Sequence, residues 1–345
     1  MQKILVLCYL PFNSEDHPED RFNTNKPLER CKCILDELPK DDIYDIINPK
    51  FVLTKEMLKG LNVHNSNYLD FLEGCYKSWK VEPDYDVYRN GCLIPYHFSR
   101  RKLFQSHLSL PFWKQMGFYC DDVITPISHN TWRYALESAN NCYVVSDYLD
   151  KYQVIYCLNT YPGHHAMFDG YGGYCYLNNA AVCAKRLHPL RISILDLDYH
   201  HGNGTQDIFE DSSNVCTISI HADPSKDYPS FSGYVAENTD NNLNLIFPKK
   251  CNLESYLGLV KVAMEKVRGF ESDVLIIPLG LDTLSTDPDA SRLYGCGLEV
   301  KDFRVIGRSI KEQFKGKIVV TQEGGYDLNL VPGAVDGFLR GLMDL

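Results

Sequence analysis

No stretch of this 345-residue chain approaches the roughly 20 apolar residues that a membrane helix needs. Basic residues are also few, with 35 Lys and Arg against 45 Asp and Glu, a formal charge of −10. A nucleic-acid binder would show the opposite balance on one face. That charge suits a soluble protein that repels polyanions and tolerates cationic ligands. There is no GxSxG elbow, no P-loop and no dinucleotide-binding glycine spacing. The 13 cysteines contain no Cys-x-x-Cys, and Cys31-x-Cys33 is their one close pair. They therefore offer neither a metal site nor a disulfide framework. Cys8, Cys142, Cys157, Cys175, Cys183 and Cys216 sit inside apolar runs, where a free thiol behaves as a small hydrophobe. The run Ile4–Leu10 is too short for a signal core and lacks a small-residue cleavage site. These features are read as those of a reducing, cytoplasmic protein. Repeats, linkers and low-complexity segments are absent as well.

What is present is a globular composition, 44% hydrophobic and 23% charged, with regular alternation of elements. Apolar runs Ile4–Tyr9, Gln153–Leu158, Ile192–Leu197, Val215–Ile220, Leu243–Phe247, Val274–Leu279 and Lys317–Thr321 read as strands. Between them lie helical patterns at Pro27–Leu38, Ser66–Lys80, Thr131–Leu149, Leu177–Leu187, from Thr205, at Leu253–Val267, Lys301–Phe314 and Val331–Leu345. Buried strands alternating with helices predict one α/β domain over 1–345, built on a mostly parallel sheet covered on both faces. The exception is Val81–Tyr119, which has no clear period and is rich in Pro, Tyr, Phe and Trp. It reads as a long ordered loop or insertion.

In such sheets ligands bind beyond the carboxyl ends of the strands. The polar clusters follow strands accordingly. Asp196-Leu197-Asp198-Tyr199-His200-His201-Gly202-Asn203-Gly204-Thr205 carries the densest chemistry. Residues two apart on a strand share a face, so Asp198 and His200 make a metal-ligand pair, with Asp196 one step deeper. Asp282 ends another buried strand and is the candidate third ligand. An Asp₂His set with an open position is a catalytic zinc pattern, and its oxygen content also admits Fe²⁺, Mn²⁺ or Co²⁺. Pro162-Gly163-His164-His165 offers a general base and a neighbour, with Asp196 and Asn203 available to fix their tautomers. Glu323-Gly324-Gly325-Tyr326 lets a phenol reach a developing oxyanion. Tyr174, after Gly172-Gly173, and Tyr228, before Pro229, either wall a narrow tunnel or form surface turns. Cys120-Asp121-Asp122 reads as a solvated loop acid pair.

These motifs, in this order, resemble the histone deacetylase superfamily of zinc amidohydrolases, and within it bacterial acetylpolyamine amidohydrolases. The likeness extends to Val63–Leu69, Gly117–Cys120, Thr131-Trp132, Gly172–Ala181 and His221-Ala222-Asp223-Pro224. It implies an arginase-like three-layer fold with an eight-stranded central sheet. It implies that Asp198, His200 and Asp282 hold Zn²⁺, that His165 is the general base with His164 beside it, that Asp196 and Asn203 support them, and that Tyr326 donates to the carbonyl oxygen. Tyr174 and Tyr228 would line the tunnel. A structural K⁺ would lie near Asp196, Asp198, His200 and Ser219. The aromatic insertion would either constrict the tunnel mouth or pack against a second subunit in a homodimer.

The expected activity is deacetylation of a small cationic amine such as an acetylated polyamine. Lysine deacylation of proteins is the alternative; a catalytically dead scaffold and a two-metal arginase-like hydrolase rank below both. Two departures bear on the substrate. Trp113 and Ile124 stand where acetylpolyamine amidohydrolases place polyamine-binding glutamates. Asp289, seven residues after Asp282, is the candidate acceptor for a distal ammonium. Tyr119 stands where histone deacetylases place the rim aspartate that grips a peptide.

Overall fold

In a computed structural model the chain is built around one sheet of eight strands, all pairs parallel. The structure describes residues 3–9, 26–38, 42–81, 92–95, 97–99, 109–290 and 293–345. The strands are β1 (Ile4–Cys8), β2 (Tyr44–Ile47), β3 (Val154–Leu158), β4 (Ile192–Asp196), β5 (Val215–His221), β6 (Asn242–Ile246), β7 (Val274–Leu279) and β8 (Lys317–Gln322). Their order across the sheet is β2-β1-β3-β8-β7-β4-β5-β6.

Continuous apolar runs form these strands because both faces are covered. Ile4, Val6 and Cys8 point into a core with the helices Leu253–Gly269, Val300–Gln313 and Val331–Gly341. Leu5 and Leu7 point into the opposite core, with Ser66–Lys80, Thr131–Tyr143 and Asn179–Arg186. This is the expected three-layer α/β architecture. The 13 cysteines are all unpaired, and every one but Cys33 is buried. No helix among the described residues is long and apolar enough to cross a membrane.

Two elements escape the sequence pattern. β2 is a four-residue edge strand whose burial is mixed, too short to display a period. The helix Lys55–Leu61 is also short, but it has a legible start: Thr54 accepts the Met57 N–H at 3.2 Å as an N-cap. The helix expected to run to Leu149 ends at Tyr143 and tightens into a 3₁₀ turn over Val144–Asp147. The β-branched pair Val144-Val145 disfavours continuing the wider helix.

Of the segment 81–119, residues 82–91, 96 and 100–108 lie outside the described residues. Its described end is ordered: Phe112–Gln115 form a 3₁₀ turn, and the Trp113 N–H donates to Ser78 Oγ at 3.1 Å. Trp113 is buried in the core. Tyr119 is buried too, with its ring 4.6 Å from that of Phe71, and so presents nothing at a rim.

The strands β3, β8, β7, β4 and β5 lie side by side and end at one edge of the sheet. The polar segments singled out in the sequence leave from those ends and meet there.

Candidate active site

β4 ends at Asp196, and the chain then turns sharply through Asp198 and His200. Asp198, His200 and Asp282 are buried and bring their ligand atoms within 4.8 Å of one another. His200 Nδ1 lies 3.4 Å from Asp198 Oδ1 and 3.2 Å from Asp282 Oδ2. Backbone N–H groups hold the carboxylates in place. Tyr199 donates to Asp282 Oδ1 at 2.9 Å, His200 to Asp198 Oδ1 at 2.9 Å and Gly324 to Asp198 Oδ2 at 2.9 Å. Asp282 Oδ2 is left buried without a hydrogen bond.

This donor set fits a divalent cation. Burial, reinforced by the Asp198 charge, pushes the Asp282 carboxyl well above its ordinary range. Two carboxylates this close and this dry need a positive charge between them. Space is kept for one as well. A Cβ at Gly324 would come within 2.6 Å of Asp282 Oδ2 and 2.7 Å of Asp198 Oδ2.

The loop after β3 delivers the tandem histidines, whose ring centroids are 3.9 Å apart. His164 Nδ1 lies 3.0 Å from Asp196 Oδ2, and His165 Nδ1 lies 2.7 Å from Asn203 Oδ1. The two imidazoles are tuned in opposite directions. Burial opposes the His164 imidazolium, but Asp198 and Asp196 outweigh it and raise its pKa to about 10. Burial, then the charges of His164 and His200, hold His165 well below the ordinary imidazole range. His165 is the neutral partner, with Nε2 left as its basic atom once Nδ1–H faces Asn203.

These groups face a cavity of about 150 Å³. Its walls include Tyr174, Tyr228, Tyr326, His165 and Ile124, with Asp227 and Asp289 among the lining residues. Tyr326 stands 6.0 Å from Tyr174, ring to ring. Gly173 has φ +53°, and a Cβ there would sit 2.2 Å from the His165 ring, so only glycine lets the base occupy its place. Asp122 is not the solvated loop acid expected. It accepts the N–H groups of Ile124 and Thr125 at 2.8 Å each, the Thr125 hydroxyl at 2.8 Å and the Gly173 N–H at 2.6 Å. It locks the tyrosine loop against the wall. Ser219 is adjacent to Asp196 across β4 and β5, and its hydroxyl lies 2.8 Å from His221 Nδ1.

Residues 24–342 match the histone deacetylase domain. The chain belongs to that family. It is 31% identical over 348 residues to the acetylpolyamine amidohydrolase of Mycoplana ramosa, covering 95% of this chain and 98% of that one. It is 28% identical over 240 residues to histone deacetylase 8 of Arabidopsis thaliana, covering 64% of this chain and 62% of the relative. A crystal structure of the acetylpolyamine aminohydrolase from Burkholderia pseudomallei superposes with a TM-score of 0.85 at 28% identity, covering 98% of both chains. The protein is thus a hydrolytic deacetylase of the arginase/deacetylase fold.

One residue of this deacetylase family member carries more than its sequence suggested. Glu323 is fully buried. Its Oε2 accepts the N–H groups of Gly163 at 2.5 Å and His164 at 3.1 Å, and its Oε1 accepts the Thr321 hydroxyl at 3.0 Å. It ties the end of β8 to the histidine loop. A carboxylate that serves backbone donors leaves no periodic trace, and the adjacent glycines were the only signal. His164, Cys175 and Glu323 form a second close donor group. Its atoms are already engaged by Asp196 and the backbone, and burial pushes the Cys175 thiol well above its ordinary range. Glu323→Ala is expected to lower kcat about tenfold with KM little changed, because the loop that carries the base loses its tie to β8 while the pocket wall stays. Steady-state kinetics check this, and an unchanged kcat would show that the loop holds itself.

Proposed function

We propose that the protein is a zinc-dependent deacetylase of small cationic amines, acetylated polyamines above all, releasing acetate and the free amine. The observation that supports this most is the ring-lined cavity onto which Asp198, His200, the His164–His165 pair, Tyr326 and Asp289 open, with Asp282 beside Asp198 and His200. Asp198, His200 and Asp282 would hold Zn²⁺, with Fe²⁺, Mn²⁺ and Co²⁺ compatible with the same donors, and the ion supplies Lewis acidity toward an amide carbonyl and a water molecule. His165 Nε2 takes the proton of the attacking water and returns it to the leaving nitrogen. Asn203 fixes the tautomer that makes this possible. His164, held by Asp196, packs beside the base and orients it. A dication on the triad cancels much of the Asp198 field, so the raised His164 pKa is a property of the protein groups alone. Tyr326 donates from its hydroxyl to the carbonyl oxygen as negative charge develops there. Tyr174 and Tyr228 flank the acyl chain and exclude water. Asp289 accepts the distal ammonium.

A structural K⁺ beside Asp196, Asp198, His200 and Ser219 belongs to the same proposal, supported by the pairing of Asp196 with Ser219 across the sheet. So does a cytoplasmic setting, supported by thirteen unpaired thiols. Exposed Phe98, Leu110 and Phe118, in the described part of 81–119, support a homodimer contact.

The substrate is tested by comparing acetylputrescine, acetylcadaverine, acetylspermidine and an acetyl-lysine peptide on zinc-loaded enzyme. At least one small amine is expected to exceed the peptide in kcat/KM by about tenfold or more, a difference of about 1.4 kcal/mol. A peptide preferred over every small amine would replace the proposal with protein deacylation.

A further inference from the structure

The catalytic cavity carries one acidic side chain that the mechanism leaves unused. Asp227 lines it from the loop after β5, and Asp289 lines it from the loop after β7. Among the described residues that line the cavity there is no lysine or arginine to neutralise either. Burial raises the Asp289 pKa, His200 opposes the rise, and the charges of Asp198 and Asp227 add to it.

Asp227 is braced from below. Its Oδ2 accepts the Tyr199 hydroxyl at 2.8 Å, and its Oδ1 accepts the Tyr228 N–H at 3.0 Å. Tyr199 is fully buried and donates its own N–H to Asp282 at 2.9 Å. The chain that positions a candidate metal ligand therefore also fixes a carboxylate at the cavity wall. A charge held this way gives up little freedom when a ligand arrives. Tyr228, the next residue, stands with its ring 4.8 Å from that of His165, so Asp227 is set beside the wall that flanks the base. Neutral amides find no counterpart for such a pair of acids.

We propose that Asp227 is a second specificity carboxylate, which together with Asp289 receives the free ammonium end of an acylated diamine. This rests on the small-amine reading of the same cavity.

Asp227→Asn separates charge from bracing. The asparagine oxygen can still accept the Tyr228 N–H, and its amide can donate to the Tyr199 hydroxyl oxygen. The full-length zinc-loaded enzyme and this variant are compared on acetylputrescine and on its uncharged analogue N-butylacetamide. The ratio of their kcat/KM values is expected to fall about tenfold in the variant, carried by KM, a loss of about 1.4 kcal/mol. An unchanged ratio, or equal losses on both substrates, would mark Asp227 as a brace only and overturn the inference. A wild-type ratio near one overturns the small-amine reading itself. A high wild-type ratio that the variant preserves overturns the Asp227 inference alone.

Discussion

Asp282→Asn is expected to lose tight metal binding and to lower kcat by about 10³-fold or more. A three-ligand site with one donor replaced by a neutral amide no longer balances the ion's charge or completes its coordination. The apo variant gives the argument a second readout. Asp282 Oδ2 is buried without a hydrogen bond, near Asp198 and His200. The asparagine keeps an oxygen for the Tyr199 N–H, and the lost contact with His200 Nδ1 at 3.2 Å is offset by relief of burial and of the repulsion from Asp198, so the metal-free variant is expected to unfold at a Tm close to that of metal-free wild type. Metal content after dialysis and thermal unfolding of both apo forms check this. Stoichiometric metal in the variant would remove Asp282 from the ligand set. A large drop in apo Tm would show that the carboxylate is structural instead.

Tyr326→Phe is expected to lower kcat about 10²-fold or more while KM changes little. The hydroxyl is asked to donate only where charge develops, so its loss falls on the transition state. The ring should stay where it is. The Tyr326 N–H is held by Asp287 Oδ2 at 2.7 Å, and the Tyr174 ring stands edge-on to its ring at 6.0 Å between centroids. Neither contact needs the phenol oxygen. Steady-state rates with acetylputrescine decide it, and a variant with full kcat would leave the cation to stabilise the oxyanion unaided.

The two substitutions rest on residues that the sequence exposes readily. Asp196–Thr205 and Asp282–Thr283 stand out because long apolar runs break abruptly into acids and imidazoles. A parallel strand buried on both faces tolerates such groups only at its end. Seven of the eight strands are visible for the same reason. β2 is not, since a short edge strand with one wet side has neither a run nor a clean alternation. Within the site, residues that act by side-chain chemistry were legible, and residues that act on backbone were not. Glu323 and Asp122 accept main-chain N–H groups, and any loop acid presents the same face in one dimension. Asp227 was hidden differently: its meaning depends on Tyr199 and Asp289, which lie 28 and 62 residues away.

The strand order has a consequence for how the enzyme is made. β8 is the last strand in the chain, yet it pairs with β3 on one side and β7 on the other. Until some 320 residues have left the ribosome, the sheet exists at most as two halves, β2-β1-β3 and β7-β4-β5-β6, each with an open edge. The histidine loop belongs to one half and the Asp198–His200–Asp282 set to the other. Insertion of β8 joins them and brings Glu323 and Tyr326 along, so hydrolytic competence arrives in a single late event. A nascent chain therefore cannot deacetylate anything before β8 has emerged, and the bare edges of β3 and β7 are the surfaces a chaperone must shield in the meantime.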